Sequence, residues 1–139
     1  MFLLLICLFD TTFLKGGFMY NFAYLIGRLT ADPEVNKTES GKSVCNITLA
    51  VQRTYKNADG IYEADFIRCA LWDAIANNAA EFCHKGDLIA VRGQLRTSSY
   101  IDSKNEKKHA TELLVERLCF LSTKSEEKEV DSKDSEAEN

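Results

Sequence analysis

The side chains of this 139-residue chain best equipped for chemistry are aromatic and cationic, and several of them fall on one face of one short stretch. In ADFIRCALWDA, residues 64 to 74, a strand's two-residue period puts Phe66, Arg68, Ala70 and Trp72 on one side. Ile67, Cys69 and Leu71 take the other. A strand buried on one face normally turns polar groups to water, yet here the face with the arginine also holds a phenylalanine and the only tryptophan. Phe66 and Trp72 are six residues apart, hence roughly 20 Å at about 3.3 Å per residue, which makes them two platforms and not one cluster. Tyr100 ends a later strand on the same side as Arg96, and Tyr55 ends an earlier one. Aromatics interleaved with arginines suit a sequence-tolerant groove for single-stranded nucleic acid, since every base has a π-face and every phosphate needs a positive neighbour. Duplex readers need contacts to base edges instead. A second reading stands beside this one: a barrel covered by loops, a helix or a partner subunit also buries aromatics on its second face. Arg68 weighs against it, because an unpaired buried guanidinium is costly.

The elements that must position these residues are short strands broken by turn chemistry. FAYLIGRL is a first strand, with Gly27 marking a bend or a close backbone approach. ADPEVNKTESGKS is a long turn punctuated by Pro33 and Gly41. VCNITLAVQRTY is a second strand, with Cys45, Ile47, Leu49 and Val51 on one face, and KNADG supplies the turn of a hairpin into IYEADFIRCALW. The period then changes. DAIANNAAEFCHKG reads as one helix, with Asp73 as N-cap, Ile75, Ala79 and Phe82 on its apolar face, and Gly86 as the C-terminal stop. In DLIAVRGQLRTSSY, Ile89, Val91 and Leu95 share one face, and Arg92, Gln94, Arg96, Ser98 and Tyr100 share the other. IDSKNEKK is a polar loop before a last strand, HATELLVERLCFL. Five strands with one helix between the third and fourth suit an all-β, closed Greek-key barrel of the OB type.

Length and 45% hydrophobic content fit one globular domain. The formal charge of -4 is not a property of that domain: residues 19 to 121 hold 13 basic and 13 acidic side chains, whereas residues 122 to 139 hold seven acidic against three basic. With Val130 as its one apolar residue of weight, the tail 122–139 is expected to be disordered. The apolar run Phe2 to Phe9 is far shorter than the roughly 20 residues of a membrane-spanning helix. It also lacks the charged start and cleavage site of a secretory signal. Residues 1–18 are read instead as an extension that precedes the true start, Met19, because Lys-Gly-Gly-Phe-Met can be encoded by a purine-rich ribosome-binding sequence ahead of an ATG.

The five cysteines are never closer than 14 positions, so no C-x-x-C metal or redox pair exists, and neither a metal nor a cofactor is expected. Cys45, Cys69 and Cys119 sit in apolar runs where a free thiol behaves as a small hydrophobe. An enzyme would have to draw on Cys83 and His84, but neighbours on a helix point about 100° apart and do not face each other. No catalytic residue is assigned. The remaining alternative is an OB module that binds RNA or a protein partner, since a fold does not by itself decide function.

LIGRLTADPE, NITLAVQRTY, ADFIRCALW and KGDLIAVRGQLRTSSY, in this order and separation, resemble the bacterial single-stranded DNA-binding protein (SSB) family from Tyr20 to about Leu121. The resemblance implies an OB barrel at residues 19–121, a homotetramer, and cytoplasmic, nucleoid-associated work on single-stranded DNA in replication, recombination and repair. It places the family's stacking aromatics on Tyr55, Phe66, Trp72 and Tyr100, and its phosphate-binding cations on Arg68, Lys85 and Arg96. Lys56, Lys104, Lys107 and Lys108 are loop candidates by charge alone. Two stretches depart from the family's pattern. Ser98 and Ser99 stand where a basic residue often precedes the last aromatic, and SKDSEAEN lacks the apolar tip with which such tails dock replication and repair proteins.

Overall fold

Alternating apolar residues make the strands of this chain, and a single break in the alternation makes its helix. The computed structural model describes residues 19–123. The N-terminal extension with Cys7 and the acidic residues from Lys124 onward, on which the expectations of a late start and a disordered tail fall, lie outside the described residues. The elements follow in the order β1 (Ala23–Leu29), β2 (Asn36–Lys37), β3 (Ser43–Lys56), β4 (Tyr62–Trp72), α1 (Asp73–Phe82), β5 (Leu88–Ile101) and β6 (Lys107–Ser122). The five long strands are those the pattern implies, and the two-residue β2 is an addition within the long turn.

The sheet runs β1-β5-β6-β4-β3-β2, and β1 also pairs with β3, which closes a five-stranded barrel of the OB type. The helix lies between the third and fourth long strands. Ladders are antiparallel except that between β4 and β6. Cys45, Ile47 and Leu49 from β3, Cys69 and Leu71 from β4, Ile89 and Val91 from β5, and Leu113 and Val115 from β6 fill the barrel. Ala76 and Ala79 from α1, and Cys83 just after it, pack on the same core. Leu49, Leu71 and Leu113 are wholly buried, each stabilising the fold by about 1.5–3 kcal/mol relative to exposure.

Closure is narrow at two seams. β1 meets β3 only at Arg28↔Ala50 and Leu29↔Leu49, and β4 meets β6 only at Cys69↔Leu113 and Ala70↔Leu114. Gly27 lies at the first seam, where a Cβ would stand 2.7 Å from the Ala50 carbonyl oxygen, which is the close approach the sequence suggests. Beyond the seams the β3–β4 and β5–β6 hairpins continue as two-stranded arms, the second paired as far as Ile101↔Lys107. The first arm ends in the expected turn, in which the Asn57 side-chain oxygen accepts from the backbone N–H groups of Asp59 and Ile61, both at 3.0 Å.

Five local expectations are corrected. Leu95 has the strand parity of the core residues Ile89 and Val91 but is exposed: it stands at the rim of the barrel, opposite the wholly buried Leu113, and the core ends between the two. Cys119 is exposed as well. Between Arg92↔Arg117 and Gly93↔Val115 the β6 register gains one residue, Glu116, so the inward face passes from Val115 to Leu118 and turns Cys119 outward. Asp73 is not the N-cap: Trp72 occupies that position in an extended conformation, and Asp73 takes a left-handed φ of 50° as strand passes directly into helix. The buried stripe of α1 is Ala76 and Ala79, continued by Cys83 at its C-cap, and Phe82 is exposed. The helix stops at Cys83 rather than Gly86, whose N–H donates to the Leu29 carbonyl at 2.8 Å.

Candidate nucleic-acid interface

The outer face of the barrel can be read from its ladders, because residues directly opposite in a sheet point the same way. Phe66 faces Ala50, Arg68 faces Thr48, Ala70 faces Asn46, and Trp72 faces Val44. The row through Ala70 continues to Leu114 on β6 and Gln94 on β5, and two residues along β5 lies Arg96, opposite Glu112. Phe66, Arg68, Trp72 and Arg96 therefore share one continuous outer surface. The neighbours of Phe66 and Arg68 are too small to cover them. Phe66 keeps 68% of its surface exposed, so the reading in which it is core is excluded in the isolated chain.

Trp72 is half-buried at the point where β4 passes into α1. It lines a groove of about 560 Å³ together with Arg96, Lys42, Thr38, Ser40, Ile75, Leu114, Val115 and Glu116. The indole and a guanidinium from opposite ends of the sequence pattern thus meet in one concavity. Lys42 was not anticipated; its place in the loop before β3, across from Trp72, is a consequence of folding that no local pattern signals.

The other two aromatics stand on separate arms. Tyr55, exposed, sits near the end of the β3–β4 arm, in a stretch where the register slips between Gln52 and Lys56. Next to it the Lys56 ammonium lies 5.4 Å from the centre of the Tyr62 ring, a cation–π distance. Tyr100, also exposed, lies on the β5–β6 arm beside a shallow pocket of about 460 Å³ formed with Ser99, Ile101, Asn105 and Lys107.

The cations divide by what they already hold. Arg68 and Arg96 make no ion pair among the described residues. Lys85 is on the turn after α1, outside the Trp72 groove, with its backbone N–H donating to the Asp32 carboxylate at 2.7 Å. Lys104 is in the arm's tight turn, its N–H donating to Asp102 at 2.9 Å. Lys108 is engaged by Glu106 at 2.8 Å and by Asp102 at 3.8 Å. Arg53 is engaged more firmly. Its guanidinium donates to the Asp65 carboxylate through Nε and Nη2, and to Glu63 through Nη1 at 2.7 Å, which braces the β3–β4 arm where its register slips. Arg53 holds the Asp65 carboxyl below the usual carboxylate range. It is an arginine next to an aromatic whose charge is already matched.

Among the described residues no cluster of three or more His, Cys, Asp or Glu is arranged to hold a metal ion. No helix among them is long and apolar enough to cross a membrane.

A closed OB barrel whose outer surface presents aromatic rings beside unpaired guanidinium groups defines an oligonucleotide-binding class of module. The model of the Single-strand binding protein family matches residues 20–121, and the chain belongs to that family. It is 42% identical over 113 residues to Single-stranded DNA-binding protein B of Bacillus subtilis (strain 168), covering 81% of this chain and all of that protein. It is 44% identical over 103 residues to Single-stranded DNA-binding protein 2 of Listeria innocua serovar 6a, covering 74% of this chain and 65% of that one. Over 107 residues it is 43% identical to Single-stranded DNA-binding protein A of Bacillus subtilis, covering 77% and 62%.

Proposed function

We propose that this chain binds and protects single-stranded DNA without strong sequence preference. Bases stack on Tyr55, Phe66, Trp72 and Tyr100, and phosphates lie against Arg68, Arg96 and Lys85, with Lys56 and Lys104 contributing from the arms. The observation that carries this reading is the groove in which Trp72 and Arg96 meet: an indole for a base and an unpaired guanidinium for the next phosphate. The family match and the names of its relatives favour single-stranded DNA over the RNA-binding and protein-binding alternatives. The mechanism is binding, with no bond made or broken. The strand is held by stacking and charge, and the two arms bound its path.

The binding unit is residues 19–121, working as a homotetramer in the cytoplasm, at the nucleoid, in replication, recombination and repair. Exposed Tyr24 and Ile26 on the outer face of β1 support assembly, since they are apolar groups that a second copy would cover. The experiment is a titration of poly(dT) followed by Trp72 fluorescence, with the mass measured by light scattering on the same sample. Stacking on the indole is expected to quench it, with duplex DNA doing so far less. Unchanged fluorescence together with no mobility shift at low salt would reject the proposal.

A further inference from the structure

We propose that Phe82, at the C-terminal end of α1, is an additional base-stacking position that carries single-stranded DNA from the Trp72 groove along the helix toward Lys85. The inference rests on the binding function proposed above and extends its track onto an element outside the sheet.

The helix packs on the barrel with small side chains, Ala76, Ala79 and Cys83. Positions on a helix advance by about 100° each, which sets Phe82 on one flank of that stripe, the flank it shares with Ile75 seven residues earlier. There the largest apolar side chain of the helix is left 63% exposed. Single exposed apolar groups are common, so the argument lies in what surrounds this one. Ile75 is a wall of the groove that holds Trp72 and Arg96. From Ile75 to Phe82 the helix rises about 10.5 Å at 1.5 Å per residue, and the flank position between them is Asn78, exposed and uncharged.

Past Phe82 the chain is held by hydrogen bonds that include those from three successive backbone N–H groups. The His84 N–H donates to the Asp87 carboxylate at 2.8 Å, the Lys85 N–H to Asp32 at 2.7 Å, and the Gly86 N–H to the Leu29 carbonyl at 2.8 Å. The Lys85 backbone is therefore anchored, while its ammonium has no hydrogen bond or ion pair among the described residues. An exposed ring, an uncharged flank leading to it from the groove, and a cation carried on an anchored backbone three residues on offer the pairing of Phe66 with Arg68 a second time. The same ring could instead meet a second copy of the chain, and the experiment separates the two.

Two variants of the full chain test this. Phe82→Ala, on an exposed position, is expected to keep the thermal midpoint and the mass by light scattering. Its Trp72 should still be quenched by oligo(dT), with affinity for long oligo(dT) reduced roughly 5- to 150-fold, the loss of one stacked base. Phe82→Trp in a Trp72→Phe background places the only indole on the helix, where oligo(dT) should quench it and duplex should not. Three results would overturn the inference: wild-type affinity in Phe82→Ala, an indole at 82 indifferent to saturating oligo(dT), or a change of mass in Phe82→Ala, which would make Phe82 a contact between copies. A wild-type Trp72 that ignores oligo(dT) would instead reject the binding function itself.

Discussion

Phe66 stands directly opposite Ala50 across the β3–β4 ladder, and a methyl group cannot cover a phenyl ring. One residue further along β4, Ile67 turns inward, and Leu71 in the same alternation is fully buried. The strand thus carries two apolar faces with different duties, and substitution should tell them apart. Phe66→Ala is expected to leave folding stability within about 0.5 kcal/mol, as surface substitutions usually do, while weakening single-stranded DNA binding by roughly 1–3 kcal/mol. Leu71→Ala should destabilise the fold by about 2–5 kcal/mol. Urea unfolding and oligo(dT) titration of both variants make the comparison, and an unfolded Phe66→Ala would mean that its ring is covered in the assembled protein.

Charge gives a second expectation. On a single strand the logarithm of affinity falls with the logarithm of salt at about -0.7 per phosphate neutralised, so Arg68→Gln and Arg96→Gln should each flatten the slope by about that amount. Arg53→Gln should not flatten it in the same way, since that guanidinium is already paired with Asp65 and Glu63. Affinities measured across a salt series decide this, and a slope indifferent to Arg68 and Arg96 would move the phosphate path to the β5–β6 arm, along Lys104 and Lys107.

The thiols offer a check on the fold itself. Burial pushes Cys69 up to about 12, with the Glu112 charge adding to the effect, and raises Cys45 and Cys83 too. In native protein at pH 8, alkylation mapped by mass spectrometry should reach Cys119 well before Cys45, Cys69 or Cys83. The sign of the linkage follows. A thiol whose folded pKa is raised contributes stability that is complete below its unfolded value, near 9, and is lost as pH climbs toward the folded one, near 12. Cys69→Ala should therefore make the unfolding midpoint less sensitive to pH between about 9 and 12. Equal alkylation of Cys45, Cys69, Cys83 and Cys119 in the folded state would contradict the core as described.

Much of this arrangement is legible in the sequence, and the misses share a cause. Cys45, Ile47 and Leu49 alternate over a stretch of β3 that lies wholly within the barrel, so a two-residue period reads them correctly. The same period fails at Leu95, which keeps the inward parity but stands at the barrel's rim opposite the buried Leu113, a position that the partner strands set and the local pattern does not. It fails at Cys119 because Glu116 is an extra residue whose insertion depends on the partner strand. Helical spacing likewise allows Phe82 and Ala79 to share a face, but the barrel covers Ala76 and Ala79 and packs against Ile75, leaving the Phe82 ring exposed. The shared outer face of Phe66, Arg68 and Trp72 is legible because strand alternation fixes it locally. Lys42, which reaches the groove from a loop, and Arg53, which is withdrawn from it by two carboxylates, are decided by tertiary contacts.

The last expectation concerns the charge that the barrel itself does not carry. Residues 19 to 121 are balanced, and the seven carboxylates that follow, from Glu126 to Glu138, account with three lysines for the whole net charge of -4. Joined covalently to the cations proposed to hold phosphates, these carboxylates are expected to compete with DNA at high effective concentration. The competition is between solvent-exposed charges, which salt screens over a Debye length of about 10 Å at 0.1 M. Deleting residues 124–139, which leaves β6 intact, should therefore tighten DNA binding most at low salt, with the gain fading as salt rises. Affinities of the full and shortened chains across a salt series test this. A shortened chain that binds DNA no more tightly than the full one at low salt would overturn the competition assigned to these carboxylates.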